Sequence, residues 1–298
     1  AKLRAVIEHY TDVRVIGGVH RHPELEIIER HLGLIPSNEE DASTSRIRQI
    51  RDIIASEVDL DGLQSVAGST PLHHEPATPL SVKSGDRVRI GIARDTAFGF
   101  YYPDDLIALE QAGAKLVDIN TIADTSLPDV DGLFIGGGFP ETRMQALAGN
   151  TTMREQIRTA IEAGLPAYAE CGGLMYLCRS LRWKDQCVEM AGVIPADCVM
   201  HLRPQGRGYV RLRETASMPW GGPAPAGDIA AHEFHYSALE NISGPLDYAY
   251  DVVRGTGVDG SHDGIVIHNL LASYTHMRDT RQNHWAGRFV DFIRNCRQ

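Results

Sequence analysis

No apolar run in this 298-residue sequence approaches the roughly 20 residues a helix needs to cross a bilayer. The first residues also lack the basic start and apolar stretch of a secretory leader. Basic residues are outnumbered: 29 Lys and Arg against 39 Asp and Glu give a formal net charge of -10. Nucleic-acid binding needs a concentrated basic face, so no nucleic-acid partner is expected, and no membrane partner either. Cysteine is sparse. Cys171, Cys178, Cys187, Cys198 and Cys296 are odd in number and contain no Cys-x-x-Cys spacing. That argues against a disulfide framework or a zinc site and places the chain in a reducing cytoplasm. There is also no Gly-x-x-x-x-Gly-Lys-Ser/Thr loop. Without those backbone donors and that lysine, this polypeptide is not expected to bind and split ATP alone.

A hydrophobic content of 43% is ordinary for a globular protein, and the length suits two domains. Residues 1–67 read as a helix at 3–10, a strand at 13–19 ending in Gly17 and Gly18, and a helical stretch over 39–66. A βα unit of that size cannot close a core by itself. Residues 68–86 carry three prolines and little periodicity, which predicts a linker. From residue 87 to 298, short apolar strands alternate with helical spacings: strands near 88–93, 116–119 and 132–135 and around Tyr168, helices over 102–112 and 151–163. This predicts an α/β domain with an open, mostly parallel sheet and helices on both faces. After Cys187 the pattern shortens to β segments around 208–212, 232–236 and 248–253, expected as antiparallel strands covering one edge. A last strand at 270–274 and a helix over 285–296 close the chain.

The chemistry centres on Pro166-Ala167-Tyr168-Ala169-Glu170-Cys171-Gly172-Gly173-Leu174-Met175. An apolar strand, one small nucleophile, two glycines and a helical pattern form the layout of a nucleophile elbow. The glycines remove Cβ atoms that would shield the sulfur, and a helix start favours a thiolate. A second glycine turn, Gly136-Gly137-Gly138-Phe139-Pro140-Glu141, follows another strand. Sites in open α/β sheets gather at such strand ends, so backbone N–H groups of Gly137, Gly138 and Gly172 are candidates to hold an oxyanion. Thirteen histidines compete for the role of base. His276 directly follows the last strand; His232 and His235, three apart on a strand, point to opposite faces. Spacing leaves His276 and His235 both open. A metal site from His232, Glu233 and His235 is disfavoured, because alternation separates the ligands. Cys178, two turns beyond Cys171 on the predicted helix, reads as a small buried apolar residue.

Several segments together resemble one family. They are Arg94-Asp95-Thr96-Ala97-Phe98-Gly99-Phe100-Tyr101-Tyr102-Pro103, Leu127-Pro128-Asp129-Val130-Asp131-Gly132, the Gly136 and Cys171 turns, His232-Glu233-Phe234-His235-Tyr236-Ser237 and Ala272-Ser273-Tyr274-Thr275-His276. The chain is similar in these to the C-terminal glutamine amidotransferase domain of the cobyrinic acid a,c-diamide synthase family, a class I, flavodoxin-like fold with an antiparallel extension. Arg30-His31-Leu32-Gly33-Leu34 resembles the close of that family's synthetase domain. The resemblance implies a γ-glutamyl thioester on Cys171, with His276 as the active-site histidine and His235 and Glu141 supporting the pair. It implies glutamine as ammonia donor and an acidic tetrapyrrole as acceptor. ATP and Mg²⁺ would act in a synthetase half, supplied by the same or a separate chain; no cofactor or metal is expected on this one, and a homodimer stays open. Many such enzymes place a Glu two residues after the His. Position 278 is Arg, so a third member must come from elsewhere or the site is a dyad. The residues 275–279 also suit a sirohaem-type amidase of the same family. A stand-alone Cys amidase or γ-glutamyl hydrolase, and a non-catalytic docking module, are the remaining readings. Arg203, Arg207 and Arg211 are candidates to meet carboxylates.

Overall fold

The computed structural model describes residues 2–27, 29–30, 33–34, 43–69, 87–223 and 225–297. The expected linker therefore lies almost wholly outside the described residues, as do His31, His73 and His74. The chain divides into two compact units, 1–79 and 80–298.

The first unit holds helix α1 (Lys2–Tyr10), a short antiparallel pair β1 (Glu29–Arg30) and β2 (Gly33–Leu34), and helices α2 (Ser43–Glu57) and α3 (Leu60–Gly68). The strand expected at 13–19 does not form; only Gly17 bridges to Val58. The neighbour of this extended stretch is the end of a helix, which offers no ladder of partners. The helical stretch over 39–66 breaks at Asp59, whose side chain accepts the Gly62 N–H at 2.8 Å and caps α3. Gly62 alone is buried among the described residues of this unit. Leu3, Val6, Tyr10, Ile47 and Val66 all stand exposed.

The second unit opens with strands β3 (Val88–Ala93) and β4 (Phe98–Phe100), helix α4 (Pro103–Gln111), then β5 (Ala114–Ile119), β6 (Gly132–Ile135) and β7 (Gly137–Gly138). Helices α5 (Met144–Gly149) and α6 (Thr151–Glu162) lead to β8 (Ala167–Glu170) and α7 (Gly172–Leu177). Strands β9 (Cys178–Trp183), β10 (Gln186–Glu189), β11 (Ile194–Met200), β12 (Gly206–Glu214), β13 (Ile229–His235) and β14 (Ser237–Glu240) follow. Strands β15 (Asp247–Arg254), β16 (His262–Ile267) and β17 (Leu270–Ser273) and helix α8 (Trp285–Cys296) complete it.

Nine strands form the main sheet in the order β13-β12-β15-β16-β17-β8-β6-β3-β5. From β17 to β5 neighbours run parallel; from β17 to β13 they run antiparallel. The antiparallel half is the expected edge extension. A second sheet, β10-β9-β11-β14, was not anticipated. Its strand β9 begins at Cys178, which is therefore not on a helix, although it is buried as expected.

Alternation along the central strands feeds two cores. Leu133, Ile135, Ala167, Ala169, Leu270 and Ala272 face a layer with α5, α6 and α7. Phe134, Tyr168 and Leu271 face the opposite layer, with Trp285, Phe289 and Ile293 of α8. Tyr168 lies among the rings of Phe134, Trp220 and Trp285 at 5.0–5.2 Å. Each such fully buried side chain contributes about 1.5–3 kcal/mol. No helix among the described residues is long and apolar enough to cross a membrane.

Candidate active site

Three adjacent parallel strands deliver the site. Ile135, Ala169 and Ala272 lie in one row across β6, β8 and β17. The glycine turn, the elbow and the His276 loop therefore leave the sheet at the same edge.

At the elbow, Cys171 has φ 45° and ψ -95°, a left-handed conformation that costs a non-glycine residue about 1–3 kcal/mol. Its surroundings hold it there. The Cys171 N–H donates to the Ser273 carbonyl at 2.7 Å, and its carbonyl accepts the Met175 N–H at 3.0 Å. A Cβ on Gly172 would lie 2.9 Å from the Gly138 nitrogen, so the two glycine segments pack backbone to backbone. Tyr101 fixes the glycine turn: its hydroxyl donates to the Ala93 carbonyl at 2.6 Å and accepts the Gly136 N–H at 2.9 Å.

His276 is tied down from several sides. It exchanges two backbone hydrogen bonds with His232, at 2.8 and 3.2 Å. The buried Asp263 carboxylate accepts the Tyr274 and Thr275 N–H groups and the Thr275 hydroxyl, at 2.7–3.1 Å. The ring of His232 stacks on that of His276 at 5.0 Å and 14°, and Phe100 meets it edge-on at 5.9 Å. Its Nδ1 lies 3.3 Å from Oε2 of Glu170. Burial alone would push the imidazole toward its neutral form. Hydrogen bonds with Cys171 and Glu170 outweigh that and push it up to about 10. His232 behaves oppositely: burial first, then the charge of His276, push it down to about 4. Near neutrality one ring of the stacked pair is charged and the other is not.

The structure thus brings Cys171, His276, Gly137, Gly138 and Gly172 together. His235, a candidate to support the pair, does not lie against His276; His232 takes that position. His235 lies on the opposite face of β13. There its Nδ1 meets the Ser237 carbonyl at 2.8 Å, its ring stacks on Tyr274 at 3.9 Å, and Glu233 lies at 3.7 Å. Alternation is legible in a sequence, but which of two faces turns toward the site depends on how the strand docks. Glu233 spends its carboxylate on the N–H groups of Thr256 and Gly257, both at 2.8 Å. No three His, Cys, Asp or Glu side chains among the described residues gather as metal ligands. Glu141 is buried in a tight turn and lines a cleft of about 440 Å³ with Arg143, Trp183 and Lys184. Arg207 lies over Phe234 and lines, with Tyr102, Tyr209 and His232, a second open cleft of about 480 Å³. The sequence does not single out Glu170, and it leaves open which of His232 and His235 faces the site. The signal for Glu170 was a lone charged residue closing an apolar strand.

Gly137 leaves no room for a side chain. A Cβ there would lie 2.6 Å from Cε1 of His276. Gly137→Ala is expected to displace the ring and cut the turnover number for ammonia release about 100-fold. The thermal midpoint should move far less, and turnover kept within threefold of the parent would contradict this placement of the ring.

A sequence model for the CobB/CobQ-like glutamine amidotransferase domain matches residues 89–283. The chain belongs to that family. The amidotransferase domain and its preceding unit together also match curated proteins named cobyrinate a,c-diamide synthase. One from Magnetococcus marinus is 42% identical over 299 residues, covering 98% of this chain and 64% of that protein. One from Methanothermobacter thermautotrophicus is 39% identical over 291 residues, covering 97% and 63%. The chain thus spans under two thirds of the length of these relatives. Among solved structures, PurLQS from Thermotoga maritima superposes with a TM-score of 0.54 at 16% identity, over 72% of this chain and all of that one. A further glutamine amidotransferase gives 0.50 at 15% identity, over 68% of this chain and 98% of that one. At such identities the likeness concerns the fold, a class I glutamine amidotransferase fold.

Proposed function

We propose that this chain releases ammonia from glutamine through a thioester on Cys171. It would thereby serve an ATP-driven amidation of acetate carboxylates on an acidic tetrapyrrole, of the cobyrinate a,c-diamide synthase type. The observation that carries the reading is the meeting of a left-handed Cys171 with an elevated His276 at the ends of two adjacent parallel strands. Cys171 attacks the glutamine carboxamide carbon as its thiolate. The oxyanion turns toward the backbone N–H groups of the Gly172 and Gly137-Gly138 segments. The C–N bond then breaks, and the His276 imidazolium gives its proton to the departing nitrogen, so ammonia leaves. Neutral His276 next takes a proton from water, the resulting hydroxide attacks the thioester, and the thiolate departs with glutamate.

ATP and Mg²⁺ belong, in this proposal, to a synthetase half carried by the same or a separate polypeptide. The names of the relatives, and their match through residues 1–67 as well as the amidotransferase domain, support reading the first unit as the end of that half. Its exposed apolar residues are consistent with further packing. The test is ammonia release from glutamine by the chain, followed by labelling with a glutamine-analogue diazo-ketone and mapping of the adduct. Expected is one adduct, on Cys171. A labelled residue elsewhere, or none, would overturn the assignment. With the synthetase half present, amide formation on cobyrinate rather than sirohydrochlorin is the expected substrate result.

The pH behaviour follows from His276. Its proton is retained until pH rises through about 10, so kcat/KM should fall on the alkaline side near 10. The same proton stabilises the fold: its contribution is complete below 6.5, the ordinary histidine value, and fades as pH climbs to about 10. An alkaline limb near 6.5 would contradict the imidazolium assignment.

A further inference from the structure

We propose that Glu170, the residue immediately before the nucleophile, is the positioning carboxylate of the site, holding His276 through Nδ1 so that Nε2 serves the sulfur. The inference rests on the thioester reading above. Glu170 is 3% exposed, and its two oxygens have separate duties. Oε1 accepts the Tyr168 hydroxyl at 2.6 Å and the Met277 N–H at 3.1 Å. Oε2 is left for Nδ1 of His276 at 3.3 Å. Tyr168 cannot wander, because its ring is fully buried in the aromatic layer under α8. The carboxylate is thus fixed by one donor from its own strand and one from the histidine's loop, and its remaining lone pairs face one imidazole nitrogen.

Adjacent residues of a strand normally face opposite ways. Glu170 keeps to the Tyr168 side, as alternation requires. Cys171 escapes it, because its φ of 45° turns the chain out of the strand into α7. One imidazole can then meet both neighbours, one at each ring nitrogen. Position 278 offers no substitute. Arg278 points to α4, where it pairs with Asp104 at 2.9 Å, nears Asp105 at 3.8 Å and lies over the Tyr102 ring at 4.1 Å.

Charged and titratable groups approach the histidine pair from the elbow, β13 and the start of α4. Cys171 and Glu170 come from the elbow. His232 comes from β13 and stays neutral above about 4. Tyr102 reaches His232 at 3.2 Å from the start of α4. Asp105, which burial pushes up to about 7, takes the Asp279 N–H at 2.8 Å. Glu170 alone among these presents a carboxylate oxygen to the ring in the hydrogen bonds of the structure.

The experiment compares Glu170→Gln and Glu170→Asp with the parent chain. Glutamine keeps the acceptor for Tyr168 and Met277 but offers Nδ1 a neutral group. The expected result for E170Q is a turnover number lower by about 100- to 10,000-fold with KM within threefold, since reorientation of a histidine has effects of that size. Its alkaline limb should move to lower pH from near 10, because the carboxylate that favours the charged ring is gone, and E170D should recover part of both. An unchanged limb and turnover in folded E170Q would overturn the proposal. Nitrogen NMR of His276 in the unaltered protein tests it without any variant or activity. Nδ1 is expected to keep its proton even above pH 10, where Nε2 loses its own; an unprotonated Nδ1 at pH 8 would overturn it. Loss of activity in the parent together with the expected NMR signature would count against the thioester reading and leave the pairing standing.

Discussion

Cys171→Ala is expected to end ammonia release, with turnover falling roughly 10⁴- to 10⁶-fold, the scale at which loss of a covalent nucleophile is felt. The fold should be untouched. Alanine occupies the same left-handed position at the same backbone cost, and the side chain it replaces is nearly enclosed, at 6% exposed. The hydrogen bonds that set the elbow, to Ser273 and from Met175, are both made by the backbone. A coupled assay for glutamate and the far-ultraviolet circular dichroism of the variant measure the two halves of this statement. Retention of more than a tenth of the parent's turnover would remove Cys171 from the mechanism. A lost fold would mean that the sulfur carries packing the structure does not assign to it.

Gly173→Ala should act on stability instead. A Cβ at this position would stand 2.0 Å from the Ile135 carbonyl oxygen and 2.8 Å from its carbon. Both are backbone atoms at the end of β6, an interior strand paired with β8 and β3. Neither can give way without breaking a ladder. The expected cost is about 3 kcal/mol or more, beyond ordinary overpacking because the clash is with main chain. The control is Gly287→Ala in α8, where a Cβ meets nothing within 4 Å. That change should stabilise by about 0.5–1 kcal/mol through helix propensity. Urea unfolding of both variants decides the matter. Equal midpoints would show that α7 can lift from β6 at little cost.

Much of the architecture could be read before any coordinates. The strands ending at Ala93, Ile119, Ile135 and Glu170 are short apolar runs closed by turn residues, and helix α8 spans the residues its periodicity indicated. The elbow was equally plain, since Cys171 and its glycines are a local pattern. The errors share a cause. Residues 13–19 are β-branched and extended, yet a strand exists only if another strand lies beside it, and here a helix end does. The sheet of β9, β10, β11 and β14 joins segments scattered from Cys178 to Glu240, and two of its strands do not alternate: β9 buries every third residue and β10 none. Spacing cannot choose between His232 and His235, because it gives the relative phase of two side chains and not the absolute one.

The sequence by itself determined the candidate nucleophile, the glycine turns that make room around it, and the alternation of strand and helix that sends such turns to one sheet edge. These are local properties, written in consecutive residues. The tertiary structure alone decided which histidine stands beside His276, how the His276 loop is stapled by Asp263, and that Glu170 meets an imidazole 106 positions away. Those contacts depend on strand order and docking phase, which are set by how two apolar layers close around the sheet.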